Sequence, residues 1–165
     1  MTFFLNVELD GTSEILSELG KIENRFRTAA LAEMRDALGP MVQGAQGFVP
    51  TKPPVSGMGR GYLRWNGPFT RASIKAKVNE RRKGQSNRLA SIWFSDPAGA
   101  LFDMAGKGNA NTPAGARLIA GITKRYGAPS RVMWRAQAVY FRQTEQALIK
   151  ARANMEETLN SLLRR

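Results

Sequence analysis

Phe3, Leu5, Val7 and Leu9 alternate with Thr2, Phe4, Asn6 and Glu8 at the start of the chain, and Asp10-Gly11 follows. A period of two predicts a short strand over this stretch, closed by a turn at the Asp-Gly pair. From Ser13 onward the periodicity changes. Ile15, Leu19, Ile22, Phe26, Ala30, Met34, Leu38 and Met41 recur every three or four residues, the spacing of one face of a long amphipathic helix. Thr12 or Ser13 is placed to cap it, and Glu14 and Glu18 sit where negative charge favours the helix dipole. Gly39-Pro40 interrupts the pattern. Proline removes a backbone donor and clashes with the preceding turn, so a kink or short break is expected, with Pro40 opening a second helical piece that ends near Gln46.

Residues 48–68 hold Pro50, Pro53, Pro54, Gly57, Gly59, Gly61, Gly67 and Pro68, too many breakers for regular structure through most of the stretch. A loop of that length predicts an extended arm ordered against a neighbour. Ile74, Ala76 and Val78 then alternate with Ser73, Lys75, Lys77 and Asn79, giving a strand across 71–79, and Leu89 to Ser95 reads as its hairpin partner through Ile92, Trp93 and Phe94. The connection between them is polar and basic, with Arg81, Arg82 and Lys83 at its tip. Asp96-Pro97 predicts a capped short helix ending at Gly106, and Pro113 predicts another that stops at Gly127-Ala128-Pro129. Over 130–163 a stripe of Val132, Ala136, Val139, Gln143, Ala147, Ala151, Met155, Leu159 and Leu162 marks a final helix on the order of 50 Å long. These elements define an α+β chain: a small antiparallel sheet packed by a long N-terminal helix and a long C-terminal helix, with an extended Pro/Gly-rich arm.

The 165 residues suit a single domain spanning 1–165. Cysteine and histidine are both absent, which removes disulfides, Cys/His metal sites and imidazole catalysis. With 25 basic against 13 acidic side chains the net charge is +12, which raises an anionic partner as a candidate. The charge is unevenly placed: residues 1–59 are net −2, 60–88 net +8, 89–116 net −1 and 117–165 net +7. Apolar runs are broken well short of the ~20 residues a membrane span needs, so no membrane partner is expected. Nor does the start read as a secretion signal, since it lacks a basic leader region.

Gly57-Met58-Gly59-Arg60-Gly61 lacks the flanking strand, helix and Gly-Lys-Ser/Thr ending of a phosphate loop, and Gly106-Lys107-Gly108 fails the same test. No acid pair stands out, because most carboxylates fall on the first helix or in Glu156-Glu157. Neither enzymatic activity nor a cofactor or metal is expected. The hairpin is the main candidate surface: Lys75, Lys77, Arg81, Arg82 and Lys83 are placed to meet phosphates or an acidic protein neighbour, although charged edges also serve simply to prevent aggregation.

Taken in order, these pieces resemble a known family, the small neck proteins of long-tailed bacteriophages, variously tail-completion, head-to-tail joining or tail-terminator-like proteins. The residues that carry the resemblance are Ala37-Leu38-Gly39-Pro40-Met41-Val42 leading through Ala45 to Phe48-Val49-Pro50, then Ser56-Gly57 with Arg60. Basic alternating strands, the segment Ala100-Leu101-Phe102-Asp103-Met104-Ala105-Gly106 and a closing long helix complete it, over Leu16 to Leu163. Two stretches depart from the family pattern, the longer insert at 109–126 and the longer, proline-rich arm at 48–68.

The resemblance implies a structural virion protein, assembled in the host cytoplasm. It implies a homo-oligomeric ring, commonly a hexamer, between the head-side connector protein and the tail tube protein, with genomic DNA passing through the bore. Arg142, Lys150 and Arg152 on the last helix are candidate subunit-interface residues opposite the acidic first helix. The alternative from charge alone is a sequence-nonspecific nucleic-acid-binding protein.

Overall fold

The computed structural model of the chain describes residues 12–22, 24–61, 63–78 and 90–164. The strand expected over 2–9 and the basic tip at Arg81, Arg82 and Lys83 lie outside the described residues. Among those described, helices α1 (Thr12–Ile22), α2 (Asn24–Ala37) and α3 (Gly39–Gly47) come first. A 3-10 turn (Ser56–Gly59), α4 (Gly67–Ala72) and strands β1 (Ile74–Val78) and β2 (Ala90–Phe94) follow, then α5 (Pro97–Met104), α6 (Pro113–Tyr126) and α7 (Met133–Leu163). The two strands form an antiparallel sheet, and the class is α+β.

The breaks fall where backbone chemistry puts them. Leu38 N–H bonds back to Arg35 at 3.1 Å, and α3 restarts at Gly39 with Pro40 in its first turn, where the missing donor costs nothing. Asp96 caps α5 by accepting from the amides of Ala98 and Gly99, both at 3.2 Å, with Pro97 next in sequence. Thr112 does the same for α6 through Gly115, and Gly127, at φ 84°, ends that helix with its N–H on Thr123 O at 2.9 Å.

Three expectations need correction. The first strand begins at Ile74 rather than Arg71, because Asn66 accepts from Phe69 N–H at 3.2 Å and nucleates α4 with Pro68 in its first turn. The last helix begins at Met133, since Ser130 adopts φ 73° and Arg131 and Val132 form its approach. Its buried stripe also differs. Val139 and Gln143 are exposed, whereas Thr144 and Leu148 are fully buried, in register with Ala151 and Met155. Over 31 residues, about 46 Å, the 3.6-residue period drifts, and a mixed three-and-four spacing read from sequence slips by a residue.

The chain gathers into two compact units. One comprises the described residues within 4–41, 76–92 and 140–165. Its core is Leu16 and Leu19 of α1, Leu31, Met34 and Leu38 from α2 and its end, Val78 and Ala90 of the strands, and Leu148, Ala151 and Met155 of α7. The long helices thus lie against the sheet within one hydrophobic cluster.

The other unit is Val42–Lys75 with Trp93–Val139. The proline-rich stretch belongs to it and stays largely without regular structure, yet it is tied down at several points. Trp65 Nε1 donates to Pro50 O at 3.1 Å, and Trp65 N–H donates to Met58 O at 2.7 Å. Arg71 spends its guanidinium on the same stretch, Nε and Nη2 on Val49 O at 3.1 and 2.9 Å and Nη2 on Thr51 Oγ1 at 2.9 Å. Gly67 is required here: a Cβ at that position would stand 2.5 Å from Thr51 O. Trp65 meets Phe102 edge-on at 5.5 Å, and Phe102 meets Tyr126 at 5.2 Å, so one aromatic row joins the stretch to α5 and α6.

Candidate assembly and phosphate-facing surfaces

Strand β1 shows why its lysines face outward. Ile74 and Val78 are buried and Ala76 half-buried, which by the two-residue period sends Lys75 and Lys77 to the other face, where Lys75 and Lys77 are both exposed.

On α7 the helical geometry separates the candidate interface residues. Arg142 and Lys150 are exposed and stand about 80° apart around the axis, while Arg152 is turned about 160° from Lys150. Arg152 is half-buried and committed to Glu156, donating through Nε at 2.9 Å. The residues that do share the outward line with Arg142 are Gln146, Ile149, Ala153 and Asn160, all exposed. Sequence reading missed Ile149, 52% exposed, because it fell between the polar positions of an assumed solvent face.

The acidic and basic long helices meet inside the chain. Leu16, Leu19, Leu31 and Met34 pack with Leu148, Ala151 and Met155, and Asn154 Nδ2 donates to Glu33 Oε1. Only their outward faces are left for a neighbour. A shallow hollow of about 240 Å³ on α2 is lined by Asn24, Arg27, Thr28, Leu31 and Arg35, all from that one helix.

The second unit is organised around a buried charge pair. Asp103 is fully buried, its Oδ1 accepts from Val132 N–H at 2.6 Å, and its own carbonyl accepts from Ser130 N–H at 2.6 Å. Burial pushes the Asp103 carboxyl pKa up, opposed by the amides of Val132 and Met133 and by the charges of Lys107 and Arg131. Burial likewise pulls the Arg131 pKa down, against the attraction of Asp103. The Arg131 guanidinium makes four hydrogen bonds: Nη1 donates to Phe102 O and Ala105 O at 2.8 and 3.0 Å, Nε to Gly127 O at 3.0 Å, and Nη2 to Thr123 Oγ1 at 3.2 Å. Three of those acceptors are backbone carbonyls at the ends of α5 and α6 and the fourth is the Thr123 hydroxyl, so the pair fastens three helix termini and is structural in its chemistry.

Among the described residues no group of three or more Asp or Glu is gathered to hold a metal ion, and no helix is long and apolar enough to cross a membrane. No protein-family profile, no curated protein and no solved structure matches the chain.

Proposed function

We propose that the protein is a structural virion component of a bacteriophage neck, working by self-assembly into a ring, a hexamer as is common in the family it resembles. It would stand between the head-side connector and the tail tube with the genome in its bore. The observation that carries this reading is the outward line of α7, where exposed Ile149 and the small Ala153 stand among Arg142, Gln146 and Asn160. An exposed isoleucine bordered by polar groups on a long helix suits a subunit interface with an apolar centre and a polar rim. The order of elements supports the same reading: the Pro40 restart, the basic strand β1 and the closing helix.

The test is the native mass of the purified chain across a concentration series, with negative-stain imaging. Annular particles, or a shift from monomer to one closed oligomer, are expected. Ile149→Asp should abolish that shift, and charge reversal at Arg142 and Lys150 should weaken it. A chain that remains monomeric at all concentrations, alone and with connector and tube proteins, would remove the ring reading.

A further inference from the structure

The unit formed by Val42–Lys75 and Trp93–Val139 carries eleven Lys and Arg side chains and two acids, Asp96 and Asp103. Both acids are buried, at 8% and 0% exposure, and both are occupied by backbone amides. Of the eleven cations, Arg131 alone is buried. The described surface of this unit therefore displays positive charge with no carboxylate between the cations, whereas protein surfaces ordinarily intersperse both signs.

The cations are most ordered along α6. Arg117 and Lys124 are exposed, about 20° apart around the axis and about 10 Å apart along it. Between them on the helix edge lies Gly121, where a Cβ would stand 3.2 Å from Val55 Cγ1, and Gly57 lies beside Leu118. The helix edge that bears Arg117 and Lys124 thus borders the 3-10 turn, and exposed Arg60 follows that turn directly.

We propose that this seam, the α6 edge with Arg117 and Lys124 and the adjoining turn with Arg60, binds the phosphate backbone of nucleic acid without reading sequence. Arg60, Arg117 and Lys124 are all exposed and spread along the helix edge and the adjoining turn, which suits a repeating polyanion better than a single small anion. A lipid surface would call for large apolar side chains beside the cations, but the exposed uncharged neighbours on α6 are Pro113, Ala114, Ala116, Ala120 and Thr123. These small residues let a sugar-phosphate chain approach closely. The inference stands on charge placement alone and holds whether or not the chain closes into a ring.

The experiment measures binding of the full chain to a fluorescent mixed-sequence duplex from about 50 to about 200 mM salt. Its variant carries Arg60→Glu, Arg117→Glu and Lys124→Glu, and a charge-matched control carries Lys21→Glu, Arg35→Glu and Arg164→Glu. Circular dichroism checks that each is folded, and native mass is read in parallel. The seam variant should lose at least about tenfold in affinity at the lowest salt and show a shallower slope of log affinity against log salt, by close to one unit for each phosphate it no longer neutralises. The control should retain most of the wild-type affinity, with the same slope. No duplex binding at low salt, equal losses in both triple variants, or preferential binding to polyglutamate or to phosphatidylserine vesicles would overturn the proposal.

Discussion

Asp103 Oδ1 accepts the amide hydrogen of Val132 at 2.6 Å across 29 positions of sequence, and so joins α5 to the approach of α7. The carboxylate also offsets the buried guanidinium of Arg131. Asp103→Ala leaves that charge unpaired and should destabilise the protein by about 3–5 kcal/mol. Asp103→Asn keeps an acceptor for Val132 and should cost clearly less. Chemical denaturation of both variants checks the order.

The same carboxyl gives a pH dependence. Its folded pKa is raised above the unfolded value, so its contribution to stability is present below the unfolded value and is lost as pH rises through the folded one. Unfolding free energies from about pH 4 to about pH 8 should therefore fall less steeply with rising pH in Asp103→Asn than in the wild type. Parallel curves would contradict the raised pKa.

Thr144 is fully buried on α7, and its hydroxyl has no hydrogen-bond partner among the described residues. Thr144→Val keeps the branched shape and removes the stranded polar atom, so it should stabilise by about 1 kcal/mol. A lower melting temperature would show that the hydroxyl is satisfied in solution.

Gly99 in α5 faces Thr70 and Phe94, where a Cβ would come within 2.7 Å of Thr70 Cγ2 and 2.9 Å of Phe94 Cε1. Thr70 is held by its hydroxyl on Asp96 Oδ2 at 2.5 Å, so it has little room to yield. Gly99→Ala should cost about 1–3 kcal/mol, opposite in sign to the gain alanine brings in an open helix. Differential scanning calorimetry reads this directly.

Arg71 ties Val49 and Thr51 to α4. Arg71→Met should leave the remaining core folded while raising hydrogen exchange and protease cleavage within 48–68. Unchanged protection there would assign the anchoring to Trp65 instead.

Much of the local structure was legible in the residues themselves. The Pro40 restart, the cap at Asp96, the start of α6 at Pro113 and its end at Gly127, and the inward Ile74 and Val78 follow from backbone donors, fixed φ and strand alternation. Composition also fixed the absence of thiol and imidazole chemistry and the excess of positive charge. The helix at 67–72 was hidden by proline and glycine, and only Asn66, a capping residue just before Gly67-Pro68, signalled it.

The tertiary structure decided what no spacing reveals. It turned Arg152 away from Lys150 and onto Glu156, set Ile149 on the outward line of α7, and buried both acids of one unit while leaving nine of its cations exposed. Sequence determines which side chains can cap, alternate or break an element, because those effects act over a few residues of backbone. Which charges face water depends instead on how elements far apart in the chain close over one another, as Asp103 and Val132 do, and that is settled only when the core is packed.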